Sequence, residues 1–470
     1  FAIEGGGDVA NLAGGEIRGG FAGIRASVRT RLVNAGTISG ANGALLGNGS
    51  SIDNSGTITG SSNAVAIASD GTVINREGGQ LIGTGIAPAI LLQSGSNTIL
   101  NSGRIDTTGT SFGSAATVVI LRASADKSST LVNTATGVIG HPGQDSGDDA
   151  ILGAGGALSI ANAGLIHADI SLNGGGAPRT VLNGYDLAGN AVDGPSRIEG
   201  DLYFNGSDDT VRVRNRGTIL GDIYFGEGVN ELYNSGTING NISDVGGAAN
   251  HIVLAGTLNG DGSLQGTTTL EVSGVLNGSI VLGGNDDTVI VNGPLTITGE
   301  NSINVAGGAG DTVIYRGETG AVDAWRINAE KLIKDGGGTT ILGSEGATYL
   351  GGITVANGTL MFGTDRAADE IVGNASIGSS GVYRLDGTHL GAIDIAAGGV
   401  LLGTGRVGDG RFTEQVLTNA GIVAPGQGAG RIGTLTVMSD YTQTSAGRLD
   451  IELGAPGVSD LLEVRGAANL

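Results

Sequence analysis

The sequence predicts an all-β fold, a right-handed parallel β-helix of roughly 20 coils forming a single elongated rod. Three observations predict it: a short motif returning at intervals near 20 residues, apolar alternation of strand length inside each interval, and 92 glycines in 470 residues. A repeat of that size buries its apolar side only by stacking on its neighbours, which is how a solenoid is built.

The motif is Asn-x-Gly-x-Ile. It stands at Asn34-Ala35-Gly36-Thr37-Ile38, Asn54-Ser55-Gly56-Thr57-Ile58, Asn101 to Ile105, Asn162 to Ile166, Asn215 to Ile219 and Asn234 to Ile238, with degenerate copies at Asn75, Asn133, Gly256, Gly274 and Asn419. Asn34 to Asn54 is 20 residues, Asn54 to Asn75 is 21, and Asn215 to Asn234 is 19. A second mark keeps the same phase: Gly200-Asp201-Leu202-Tyr203-Phe204 returns 21 residues later as Gly221-Asp222-Ile223-Tyr224-Phe225, and Gly240-Asn241-Ile242 follows 19 after that.

Within each interval the apolar residues alternate over three to six positions bounded by Gly, Asn, Asp or Ser, a strand-and-turn pattern without helical period. Leucine-rich repeats have this length, but their leucine phasing is missing. Gly at the corners is expected to supply positive φ, and Ile, Val and Leu to stack as internal columns. The recurring Asn has two readings that the sequence leaves open: an amide ladder from coil to coil, or a turn residue acting within its own coil.

Composition excludes several classes. Glycine without a three-residue period and only 7 prolines is not collagen, and 39% hydrophobic against 15% charged residues is too apolar for a disordered linker. A net charge of -21, from 45 acidic and 24 basic residues, opposes nucleic acid as a partner. With no cysteine there is neither a disulfide framework nor a thiolate site. No apolar run approaches the ~18 residues of a membrane helix. Phe1 is followed by no basic-then-apolar leader and is not an initiator Met, so the chain reads as an internal fragment whose export signal, if any, was removed or left out.

Three stretches are expected: 1–305, the β-helix with Asn-x-Gly-x-Ile repeats; 306–365, continuing β-helix with different phasing; and 366–470, a C-terminal β-helix. Residues 323–334 read as strand in preference to a short helix, because Gly336-Gly337-Gly338 follows. Long steps mark loops leaving the rod at 106–130, 141–149, 174–178 and 185–196, candidates for contact with a ligand.

The chemistry sought is mostly missing, and no catalytic, cofactor-binding or metal-binding residue is assigned. Asp148-Asp149, Asp208-Asp209 and Asp286-Asp287 are adjacent pairs in turn-like settings and read as turn caps in preference to acid–base pairs. The runs at Gly206, Gly284 and Gly310 resemble calcium-binding nonapeptide repeats only in part, since they are isolated, and calcium is the weaker reading. His141, His167, His251 and His389 lie far apart and read as surface or groove residues. Trp325 is the sole tryptophan, and Tyr203, Phe204, Tyr224 and Phe225 read as a stack between coils more readily than as a sugar platform.

Lys334 to Leu342, then Tyr349-Leu350-Gly351-Gly352-Ile353-Thr354-Val355-Ala356-Asn357-Gly358-Thr359-Leu360, resembles the passenger-associated β-strand repeat of bacterial autotransporters, with Ile353 in place of the usual Thr. Leu402 to Gly408, Gly421 to Gly426, Ile432 to Val437, Asp440 to Gln443, Gly447 to Leu453 and Ser459 to Val464 are similar in order and spacing to the autochaperone-like junction ending those passengers. Residues 427–431 depart from the family pattern. The resemblance implies export, an outer-membrane β-barrel after Leu470 as the chain's own partner, and folding that starts from the C-terminal end.

The function expected is that of a non-catalytic surface-displayed or secreted module at the bacterial outer membrane: an adhesin, a self-associating rod of aggregates and biofilm, or a host-interaction module. Its partners would be a surface glycan or protein, or another copy. A glycan-active enzyme is the alternative, and it requires Asp201, Asp222 and Glu227 to converge in one groove. A stalk presenting an upstream domain is the third reading.

Overall fold

The computed structural model describes residues 2, 3, 6–109, 117–143, 147–206, 209–246, 249–284, 286–306, 308, 310–318, 320–343, 346–363, 369–411, 415–428 and 430–470. These residues form a parallel β-solenoid of about 19 turns, and no α-helix occurs among them. The chain divides into two compact units, residues 1–252 with 256–261 and residues 253–255 with 262–470.

In the first unit the motif isoleucine is the spine of the core. Ile38, Ile58, Leu81, Ile105, Ile139, Ile166, Ile198, Ile219, Ile238 and Leu258 are successive register partners in parallel ladders, and all are buried. Each coil alone would leave its isoleucine half in water; stacking removes it at ~25 cal/mol per Å² of apolar surface.

Both open readings of the asparagine hold at once. From Asn11 through Asn34, Asn54, Asn75, Asn101, Asn133, Asn162, Asn183 and Asn215 to Asn234, each Nδ2 donates to the Oδ1 of the next coil at 2.8–2.9 Å. The same Nδ2 also donates to a carbonyl of its own corner, as Asn34 does to Gly36 and Asn54 to Gly56.

The motif glycine corrects an expectation. Gly36, Gly56 and Gly236 do not have positive φ. A Cβ there would lie 2.2 Å from the carbonyl oxygen of Gly15, 2.1 Å from that of Gly36 and 2.2 Å from that of Gly217, respectively. Close approach of one coil's backbone to the next therefore demands glycine. Positive φ belongs to corner glycines elsewhere, such as Gly78 at 78°.

One of the expected loops is also corrected. Much of 106–130 is ladder: Val119–Asn133 pairs in parallel with Asp149–Asn162, with a register shift between Ala123 and Ser128, and residues 110–116 lie outside the described residues. Asp149 begins that second strand, while 144–146 of the 141–149 interruption lie outside the described residues. Residues 174–178 are a turn between strands Asp169–Asn173 and Arg179–Asn183. Residues 185–196 do leave the ladder, folding back through an antiparallel bridge of Tyr185 to Ala191, with the Arg214 guanidinium 4.3 Å from the Tyr185 ring.

The second unit is also a parallel stack. Leu332, Ile353, Ala375, Ile393, Leu417 and Tyr441 form one internal column. A separate sheet runs through Ala347–Thr348, Glu370–Val372, Thr388–Leu390, Arg406–Val407, Thr434–Val437 and Leu461–Val464. Within 323–334 a single turn of 3-10 helix, Ala324–Arg326, precedes strands Ile327–Asn328 and Lys331–Asp335. In the departure at 427–431, of which 429 lies outside the described residues, Gln427 N donates to Arg431 O at 3.1 Å and Arg431 N to Gly428 O at 3.0 Å.

Candidate functional site

In the first unit the residues just after the motif isoleucine turn a corner, and four coils place Asp three positions on, at Asp169, Asp201, Asp222 and Asp261. Asp201 and Asp222 stand behind Gly200 and Gly221, and Asp169 stands behind Ala168. A Cβ on Gly221 would come within 2.4 Å of Asp201 Oδ1, so the glycine makes room for the stacked carboxylate. Ala168 occupies the same place with φ 134°, a strained conformation for an L side chain.

The carboxylates form a second ladder. Asp169 Oδ1 accepts from Asp201 N at 2.8 Å, Asp201 Oδ1 from Asp222 N at 2.7 Å, Asp222 Oδ1 from Asn241 N at 2.6 Å, and Asn241 Oδ1 from Asp261 N at 2.9 Å. The other oxygens of Asp201 and Asp222 accept from the hydroxyls of Tyr203 and Tyr224, each at 2.8 Å. The two phenol rings stack at 4.8 Å and 2°, half-buried and facing outward, while Phe204 and Phe225 stack at 5.8 Å inside.

Beside this column is a hollow lined by His141, Gly143, His167, Ala168, Asp169, Glu199, Gly200, Asp201, Leu220 and Gly221. His141 Nδ1 meets Asp106 Oδ1 at 2.9 Å, and Asp106 also pairs with Arg104. His167 bonds Glu199, which Arg197 holds from its other oxygen at 2.8 Å. Burial opposes ionisation of Glu199, but the bonds from His167 and Arg197 prevail and hold its carboxyl below the usual range. Asp149 and Asp169 are pushed the other way. Burial raises both, and the like charges of Asp148 on Asp149, and of Asp201 and Asp149 on Asp169, add to it. Burial and the bond to Asp201 push the Tyr203 hydroxyl up, and the Asp222 bond and burial push Tyr224 up to about 12.

The remaining residues singled out in the sequence are dispersed. Glu227 lines a different hollow, with Phe204, Asn205, Gly206, Phe225, Gly226 and Val245, so it does not converge with Asp201 and Asp222. Asp209 accepts from Ala177 N at 2.9 Å and Asp287 from Thr268 N at 2.6 Å, so each caps a neighbouring coil where caps within their own turns were expected, and Asp311 likewise accepts from Asp287 N at 2.9 Å. Asp208 lies outside the described residues, and Asp286 is exposed. No group of His, Asp and Glu suited to a metal ion occurs among the described residues. Trp325 is half-buried, with the Arg326 guanidinium 4.5 Å from its ring.

Two of the histidines fit the groove reading, since His141 and His167 line the hollow. His251 is half-buried, 3.3 Å from the Tyr233 hydroxyl. His389 departs from it: this ring is fully buried in the second unit, 3.2 Å from the Tyr383 hydroxyl, and burial lowers its pKa to about 4. It stands in register between Ile371 and Val407, an apolar column that its sequence neighbourhood does not disclose.

The pairings His141–Asp106 and His167–Glu199 were missed in the sequence because their partners lie 35 and 32 residues apart. The repeat itself was the signal that could have found them, since one to two coils separate positions at the same corner. Compared with protein-family profiles, curated proteins and solved structures, the chain matches none.

Proposed function

We propose that this chain is the exported passenger of a bacterial autotransporter, displayed at or released from the cell surface, and that it acts there as a non-catalytic binding module. Adhesion, self-association and host contact are the roles that such a module takes. One observation carries the non-catalytic part: in Asp201 and Asp222 both oxygens already serve as acceptors, one for the next coil's backbone and one for a tyrosine. A glycosidase needs an acid and a base free to exchange protons with substrate and water across about 5–9.5 Å. Carboxylates committed to holding coils together support a scaffold whose surface does the work. The exported part rests on the C-terminal motifs, whose segments Val400–Gly403 and Ile422–Pro425 pair in parallel in one sheet while Thr434–Val437 and Leu461–Val464 pair in parallel in the other.

The enzymatic reading has one observation in its favour, the raised carboxyls of Asp149 and Asp169 beside the strained Ala168. Beads carrying the 470-residue chain distinguish the two. Capture on a glycan and matrix-protein array, or clustering of the beads, without release of reducing ends is the expected result. Turnover of a glycan that disappears in Asp169→Asn would refute the proposal.

A further inference from the structure

The outward face of one parallel sheet in the first unit carries an unusual column. Leu91, Ile120, Leu152, Ser171, Tyr203 and Tyr224 are successive register partners, all half-buried and all pointing away from the core, between inward residues such as Ile90 and Leu92 that are fully buried. A solvated face of a sheet ordinarily alternates to polar residues, so three aliphatic side chains in adjacent coils followed, after Ser171, by two stacked phenols are a stripe without an internal purpose.

The stripe is asymmetric in charge. Its tyrosine end adjoins Asp149, Asp169, Asp201 and Asp222, none of which takes part in an ion pair among the described residues. The cations on the side of the hollow are engaged elsewhere, Arg104 and His141 with Asp106 and Arg197 and His167 with Glu199, while Arg122 stands exposed beside Ile120 at the aliphatic end. The outer ring faces of the two tyrosines look toward Ser171 and Ser243, side chains too short to cover them. Open phenol faces beside uncompensated carboxylates are the setting in which an ammonium or guanidinium group gains both cation–π and charge attraction.

Resting on the binding role proposed above, we propose that this stripe docks an extended basic polypeptide segment, its aliphatic side chains over Leu91, Ile120 and Leu152 and a lysine or arginine over Tyr203 and Tyr224. Five inter-coil steps of ~4.8 Å make the stripe about 24 Å long, the reach of roughly seven extended residues. Charge complementarity selects this occupant. A second copy would bring another net charge of -21 to the same place, and a neutral glycan would leave the carboxylates uncompensated.

The test titrates the whole chain into fluorescent peptides of about ten residues in which every second position is Ser and the positions between run Leu-Leu-Leu-Lys-Lys, Ser-Ser-Ser-Lys-Lys or Leu-Leu-Leu-Glu-Glu, so that both blocks share one face of the extended segment, and reads anisotropy. The Leu–Lys peptide is expected to bind, the Ser–Lys peptide at least about tenfold more weakly, and the Leu–Glu peptide not at all. Tyr203→Ser with Tyr224→Ser is expected to weaken Leu–Lys binding by about tenfold or more. Serine already occupies this column at Ser171 and Ser243, so the double variant keeps the coil. It also keeps the net charge, so general attraction to an acidic chain predicts no change. Equal binding by the variant, equal binding of the Leu–Glu peptide, or a stripe-dependent dimer or neutral-oligosaccharide complex in place of peptide binding would overturn the inference. Loss of peptide binding with array capture intact overturns this inference alone, whereas peptide binding without any capture overturns the wider reading.

Discussion

Replacing Asn101 by alanine tests whether the buried amide ladder holds the first unit together. Asn101 sits mid-ladder: its Oδ1 accepts from Asn75 Nδ2 and its Nδ2 donates to Asn133 Oδ1, both at 2.8 Å, with nothing of it exposed. Asn101→Ala therefore strands a donor on one side and an acceptor on the other. Leaving a buried polar group unmatched costs about 1–3 kcal/mol, so two of them amount to about 2–6 kcal/mol. The Asn75 amide keeps its carbonyl partners, Gly79 and Arg104 at 3.2 Å, which places the value toward the lower end. Asn11→Ala, in the first coil of the ladder, strands only Asn34 Oδ1 and is expected to cost about 1–2 kcal/mol. Asn101→Asp keeps the shape but sets a second acceptor against Asn133 Oδ1, and should destabilise at least as much as alanine. Urea unfolding followed by circular dichroism, with hydrogen exchange at the amides flanking Asn101, gives the ranking; the exchange matters because stacked repeats unfold in parts. Equal losses for Asn11→Ala and Asn101→Ala, or less than about 0.5 kcal/mol for the latter, would refute the ladder as a source of stability.

Further outcomes follow from the same stacking. Gly56→Ala sets a methyl 2.1 Å from the Gly36 carbonyl oxygen, and the coils must separate; a loss of about 3 kcal/mol or more is expected in urea melts, and a neutral result would mean that the corners are slack. Arg179 and Asp209 are a buried ion pair at 3.2 Å, so Arg179→Met, which leaves the carboxylate alone, should cost about 3–5 kcal/mol, with Asp209→Asn recovering part of it in the double variant. For His389 the folded pKa is depressed from 6.5 to about 4, so between those values the unfolded chain binds a proton that the folded one refuses. Stability should thus rise with pH across that window, by up to about 3 kcal/mol, and His389→Gln should flatten this part of the profile; an unchanged profile would refute the assignment.

The coil was readable because stacking constrains one column at a time. Ile38 and its equivalents repeat in type, spacing and burial, so periodicity alone located them. Asn11 and Asn183 belong to the ladder yet escaped notice. Asn11 is followed by two extra corner residues before Ile17, and Asn183 is separated by an excursion from Arg197-Ile198, so the five-residue spacing fails while the side-chain geometry persists. The Tyr203 and Tyr224 stack was foreseen because its flanking Gly-Asp repeats. The hollow was not, because His141 and His167 meet carboxylates through space, with no fixed local spacing. The glycines misled for a different reason: composition reports their number, while only coordinates separate a need for positive φ from a need for room.

The direction of the amide ladder has a consequence for how such a chain changes length. Each asparagine from Asn34 to Asn215 receives from the preceding winding and gives to the following one, so any of these windings presents the same pair of faces as any other. A recombination event that copies or drops one whole period, such as 35–54, recreates a junction already present at Asn34 and Asn54. Gain or loss in whole windings is therefore structurally silent at the seam, whereas a slip of a single residue turns an inward column outward.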